Sequence, residues 1–174
     1  MVESFYKMEN NYDCGPCAVA FAICNFDNQF AIPFSDELKL IKERWGWNDH
    51  NNAWDNLQDS PWHHFAVLKT SKYNWKIRTC GEVLGDQCGN NKTVILIHSP
   101  SHPYLQQHWV VLHGTGPDSV FVHWGDGEIR AISKKDFAVW YAGGSPACAY
   151  EVGIGNGKLT WYQKFYVWLT GRFP

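Results

Sequence analysis

Residues 13–26 read DCGPCAVAFAICNF. From Cys14 onward the run is apolar almost all round, with alanine at 18, 20 and 22, and a helix without a polar face belongs inside a protein rather than on it. Asp13 stands where an N-cap is wanted, and Pro16 falls in the first turn, where its missing N–H costs nothing. Cys14 is therefore predicted at the start of a buried helix, a position that lowers a thiol pKa. Two chemistries fit the letters. Cys14 and Cys17 form a CxxC redox pair, or Cys14 is a lone nucleophile and Cys17 a small residue on the inner face of the helix.

The surroundings decide between them. A thioredoxin-type CxxC opens a helix that follows a buried strand, and only 13 residues precede Cys14, with no apolar strand in ESFYKMENNYD. The scaffold for thiol–disulfide exchange is missing, and the lone nucleophile is the favoured reading. Farther along, SDELKLIKERWG (35–46) predicts a helix capped by Ser35, with Asp36 and Glu37 in its first turn and Gly46 at its end. Residues 45–59 read as loop or short helix, and SPWHHFAVLKTS (60–71) as a third helix with a Ser-Pro start. After residue 75 the period changes. Short β-branched or aromatic runs at 75–79, 93–99, 108–114, 119–125 and 128–133 are bounded by Gly, Pro, Asn and Asp, and DGEI after VHWG signals a hairpin. A capped helix at 133–144, a strand at 147–154 and a closing helix at 158–171 complete the chain. Helices first and strands later, joined by hairpin-length connections, predict an α+β fold with a mostly antiparallel sheet.

The 174 residues carry no linker or charge run that would divide them, so one domain over 1–174 is expected. A net charge of −2 with scattered basic residues gives no footprint for nucleic acid. Charges in MVESFYKMENNYD interrupt any signal-peptide core, and no run is long enough to span a bilayer, so stable membrane insertion is not expected and the expected compartment is the cytoplasm. There the six cysteines are expected as thiols. A zinc site built from Cys14, Cys17 and two histidines would need a second tight pair, but Cys80 and Cys88 lie eight apart and His98–His102 is a lone loop pair. No metal or cofactor is expected. Ten Trp, eight Tyr and ten Phe are more than usual. Most should fill the core, while Trp161, Phe165, Trp168 and Leu169 share one face of the closing helix with Lys164 and Arg172 near its edges, a stripe that packs on its own domain, docks on a partner or lies in a membrane interface.

A nucleophilic Cys14 needs an imidazole within hydrogen-bond reach. Of the eight histidines, His63 and His64 are consecutive on a helix and point apart, so one of them is expected at the surface. His102 lies in a Pro-flanked loop. His108 opens the strand HWVVLHG, where a base would be rigidly held and reachable from solvent, and it is the preferred base.

Taken together, NYDCGPCAVAFA, NKTVILIHSP leading into QHWVVLHG, and SVFVHWGDGEIRAISKKDFAVWYAGG resemble the papain-like cysteine peptidases that process double-glycine leaders, and their stand-alone relatives. The resemblance spans about residues 10–144. It implies a papain-like fold, Cys14 as nucleophile and His108 as general base and then acid, with a third member in HWGDG that orients the imidazole. Asp126 is the carboxylate there. His123 competes for the slot by register, because the usual Asp-Pro is absent, and Asp126 also reads as an ordinary hairpin-turn residue. The family's oxyanion-hole Gln, six residues before the cysteine, is Met8 in this chain, which leaves Asn10 or Asn11, together with the Cys14 N–H, as candidate donors. The implied activity is cleavage of a peptide or isopeptide bond through a thioester. Transfer to an amine uses the same intermediate, and an inactive papain-like module that binds a peptide or protein is the alternative from a different class.

Overall fold

The computed structural model describes residues 6–8, 13–26, 33–47, 60–98, 107–144 and 147–170. The apolar run at 13–26 forms α1 (Cys14–Phe26), and every residue from Cys14 to Ile23 is buried. Its first turn is closed by the Cys17 N–H donating to the Asp13 carbonyl at 2.9 Å. The Asp13 side chain is completely buried and turns to the next helix, accepting from Lys42 Nζ at 2.8 Å and from Trp47 Nε1 at 3.1 Å.

That next helix, α2 (Phe34–Trp45), starts earlier than its sequence suggests. The cap position is Pro33 rather than Ser35, and the Pro33 carbonyl accepts from the N–H groups of Asp36 and Glu37. The cause is Phe34, which is buried against the rings of Tyr6 and Phe21 and draws the helix start inward. Gly46 ends it at φ +69°, the left-handed conformation that glycine adopts without strain. In α3 (Pro61–Thr70) Ser60 occupies the cap position, but its hydroxyl pairs with His63 Nδ1 at 2.8 Å. His63 is exposed and His64 fully buried, held by Tyr150 Oη at 2.6 Å and seated on the Trp109 ring, so the expected division of that pair is observed. The loop expected at 45–59 falls mostly outside the described residues.

Six described strands, β1 (Trp75–Arg78), β2 (Thr93–Ile97), β3 (His108–Thr115), β4 (Ser119–His123), β5 (Ile129–Ser133) and β6 (Cys148–Val152), form one sheet in the order β1-β6-β2-β3-β4-β5. All pairings are antiparallel, and β4 and β5 form the expected hairpin. A short helix, α4 (Cys80–Leu84), follows β1 and was not expected. It is set by a capping box in which Thr79 Oγ1 accepts from the Glu82 N–H and the Glu82 carboxylate accepts from the Thr79 N–H. α5 (Lys134–Gly143) is capped by Ser133, and α6 (Trp161–Thr170) follows β6.

The sheet is covered on both faces. Trp109 and Val111 of β3, with Val94 and Leu96 of β2, meet α1, α2 and α3 on one side; Val110, Leu112, Ile95 and Ile97 meet α4 and α5 on the other. Double coverage explains why β2 and β6 are buried at every position and why their sequences lack the polar alternation typical of an antiparallel sheet with one wet face. Among the described residues, no helix is long and apolar enough to cross a membrane.

The Asp13–Lys42 pair fastens the start of α1, with side chains 0% and 11% exposed. Lys42→Met should strand a carboxylate in the interior and lower the urea-unfolding free energy by about 3 kcal/mol or more, while the double change Asp13→Asn/Lys42→Met should recover much of the loss.

Candidate active site

Cys14 is the first residue of α1, is 5% exposed, and belongs to the core cluster beneath the sheet. His108 is the first residue of β3, the strand on which α1 packs, and is fully buried, so the solvent access expected at the strand opening is not observed. The ring of His108 is held by a hydrogen bond at 2.7 Å between Nε2 and the main-chain carbonyl oxygen of Trp124. A carbonyl only accepts, so Nε2 carries the proton, and a neutral imidazole then presents its lone pair at Nδ1. His108 is thus fixed in the tautomer that offers Nδ1 as a base.

Trp124 occupies the turn between β4 and β5, and its N–H donates to Glu128 O at 3.1 Å. Residues 6–8 run alongside this turn: Met8 N–H donates to Gly125 O at 2.8 Å, Gly127 N–H to Tyr6 O at 3.1 Å, and Lys7 bridges Asp126. Gly125 sits at φ +91°, and a Cβ there would lie 3.1 Å from Met8 Sδ, so both backbone conformation and close approach call for glycine. Met8, in the position where the family's pattern has Gln, packs against this turn rather than carrying an amide. The same strap carries Tyr6, whose ring lies against Phe21 of α1. Burial first, then the nearby Cys17, Cys14 and Asp126, pushes the Tyr6 hydroxyl well above its ordinary pKa. The strap therefore touches both α1, at Phe21, and the turn that holds His108.

Asp126, expected as the third member, is engaged elsewhere. Its Oδ1 accepts from the Glu128 N–H at 3.1 Å and its Oδ2 pairs with Arg130, whose guanidinium also lies over the Trp124 ring at 4.4 Å. The carboxylate stabilises the hairpin turn, and the acceptor facing His108 Nε2 is a main-chain oxygen. Sequence reading passed over Trp124 because a carbonyl has no side-chain signature; its adjacency to Gly125 in HWGDG was the available signal.

His123, the competing candidate, stands at another place. Its ring packs against Phe21 at 4.7 Å, and its Nε2 meets Asn91 Oδ1 at 2.7 Å and His113 Nδ1 at 3.3 Å. His113 is brought there by a bulge in β3, where the register shifts between Leu112 and Gly114. Burial, reinforced by His113, lowers the pKa of His123 to about 4. Cys17 is completely buried on α1, as the lone-nucleophile reading requires, and none of the six cysteines, all among the described residues, is in a disulfide. Burial raises the thiol pKa of Cys80, takes Cys88 to about 11 and raises Cys148 further. The oxyanion candidates Asn10 and Asn11 lie outside the described residues. Among those described, no group of three or more His, Cys, Asp or Glu is placed to hold a metal ion.

No family model and no curated protein sequence matches the chain. Among solved structures, it is similar to the peptidase domain of Streptococcus ComA, a bi-functional ABC transporter involved in a quorum-sensing pathway. The TM-score is 0.58 at 13% identity, over 86% of this chain and 97% of that one. The fold is papain-like. The α+β architecture expected from the sequence, a buried N-terminal helix on an antiparallel sheet, is the one observed.

The depressed His123 pKa fixes the sign of an acid effect. A group held neutral in the folded state contributes stability that is complete above its unfolded pKa of about 6.5 and is lost as pH falls toward the folded value of about 4. Stability should fall by roughly 3 kcal/mol from this source between those limits. Urea unfolding at pH 7 and pH 4 should show a smaller difference for His123→Gln than for the parent chain.

Proposed function

We propose that the chain is a cysteine hydrolase that cleaves a peptide or isopeptide bond, with Cys14 as nucleophile and His108 as base. The observation that carries the reading is the bond from His108 Nε2 to the Trp124 carbonyl, in a papain-like fold whose central helix begins at a cysteine. In the reaction, His108 Nδ1 takes the Cys14 thiol proton and the sulfur attacks the scissile carbonyl carbon. The tetrahedral intermediate then collapses with loss of the amine, which receives the proton from the imidazolium. Water, deprotonated by the same nitrogen, releases the acid from the thioester and restores the thiol. The Cys14 N–H at the head of α1, with Asn10 or Asn11, supplies the oxyanion hole. Amine transfer differs only in the acceptor that meets the thioester.

In this reading Trp124, and not Asp126, orients the imidazole. A carbonyl fixes the tautomer as a carboxylate would, but it adds no full negative charge to stabilise the imidazolium, so the thiolate–imidazolium pair is less favoured than in a charged triad. That difference supports a second reading, in which the fold binds a peptide and turns it over slowly or not at all.

Thiol alkylation separates these readings. Iodoacetamide should modify Cys14 much faster than Cys80, Cys88 or Cys148, whose pKa values burial has raised, and His108→Ala should abolish the excess. Equal rates at all cysteines would favour the binding module. Asp126→Ala should retain alkylation and peptidase rates to within about tenfold, whereas removing a side chain that served as the third triad member would cost about ten-thousandfold.

A further inference from the structure

α6 is preformed and presents a wide apolar face. Its N-terminus is closed by a reciprocal box, with Gln163 N–H donating to Thr160 Oγ1 and Thr160 N–H to Gln163 Oε1. At 100° per residue, Trp161, Tyr162, Phe165, Trp168 and Leu169 fall within an arc of about 120°. All five are exposed, Trp161 by 78% and Trp168 by 77%. The rings of Trp161 and Phe165 stack at 5.9 Å and those of Phe165 and Trp168 lie 5.8 Å apart, which makes one continuous surface. With 150–250 Å² per aromatic side chain, the patch is on the order of 700 Å², more than a soluble monomer usually leaves open.

Charge identifies what covers it. Residues 152–174 contain Lys158, Lys164 and Arg172 and no acidic residue, in a chain whose net charge is −2, so the rest of the chain carries −5. Lys164 lies just beyond the Trp168 edge of the apolar arc, placed so that its stem can follow the apolar surface while the ammonium reaches outward. We propose that α6 lies in the headgroup region of an anionic lipid bilayer, apolar face inward, as a reversible peripheral anchor. The ten residues of α6 extend about 15 Å, too short to span a bilayer and suited to lying in its plane. Trp and Tyr prefer that interface because their rings are apolar and their N–H and O–H groups remain solvated. A second copy of the chain is the poorer occupant, because α6 against α6 would bring like charges together, whereas anionic headgroups neutralise them.

The test is co-sedimentation of the full chain with phosphatidylcholine vesicles, with and without phosphatidylglycerol. At roughly fivefold per basic residue near the surface, Lys164 alone should make the anionic vesicles preferred at least about fivefold, and added salt should remove most of that preference. Trp161→Ser/Trp168→Ser should abolish binding with the circular dichroism of the fold retained, and Lys164→Glu should weaken it on anionic vesicles only. Absence of binding, equal binding to both vesicle types, or binding unchanged in the double variant would overturn the proposal. So would self-association in sedimentation velocity that the double variant removes while vesicles capture nothing. None of these readouts depends on peptidase activity.

Discussion

A helix with no polar side can be satisfied only by being enclosed, and α1 imposes that condition on everything around it. The sheet must cover one flank, and α2 and α3 must close the rest. Enclosure leaves the helix start in a medium of low polarizability, where the peptide N–H groups and the Asp13 carboxylate need explicit partners. Lys42 and Trp47 meet that need at Asp13, so α2 is fixed to α1 by a charge as well as by apolar contact. Placing a cysteine at this address keeps it rigid and shielded from bulk water.

The second constraint works from the sheet, at the start of β3. His108 is held by a main-chain oxygen in a hairpin turn, and the turn is itself held from two directions: by the strand-like pairing of residues 6–8, and by Arg130, which pairs with Asp126 and lies over Trp124. A main-chain acceptor cannot rotate away as a side chain does, so precision is obtained from the backbone while charge is given up. Asp126 contributes to the shape of the turn through Glu128 and Arg130. Its position two residues from the acceptor explains why a sequence motif points to it although its oxygens are engaged elsewhere.

Much of the fold was legible because its signals are local. The all-apolar run of α1, Gly46 as a helix stop, Ser133 as a cap and the Gly-bounded β-branched runs each act within a few residues. What escaped depends on distant partners or on groups without side-chain identity. Phe34 moved the start of α2 because it fills a hole made by Tyr6 and Phe21. The capping box Thr79–Glu82 was visible as a pattern, but the five-residue helix it starts lacks the length that apolar periodicity needs in order to be seen. In the proposed site, Cys14 and His108 are picked out by residue type and position, whereas the Trp124 carbonyl is a property that every residue shares.

The aromatic residues show why composition cannot assign roles. Trp109 is sealed in the core beside His64, and Trp75 stacks on Phe65 at 5.1 Å, where large rings fill volume between sheet and helices. The aromatics of α6 have the same chemistry and a similar density, yet they stand exposed on a capped helix. The distinction comes from their neighbours: the buried rings pack on residues of other elements, while those of α6 pack on one another, in a segment whose charged residues are all basic. An apolar face whose only charged neighbour on the helix is a lysine fits a surface that is apolar beneath and negative above. The interior of a protein that is otherwise net acidic offers no such environment, so α6 is better matched to a boundary outside the molecule than to its core.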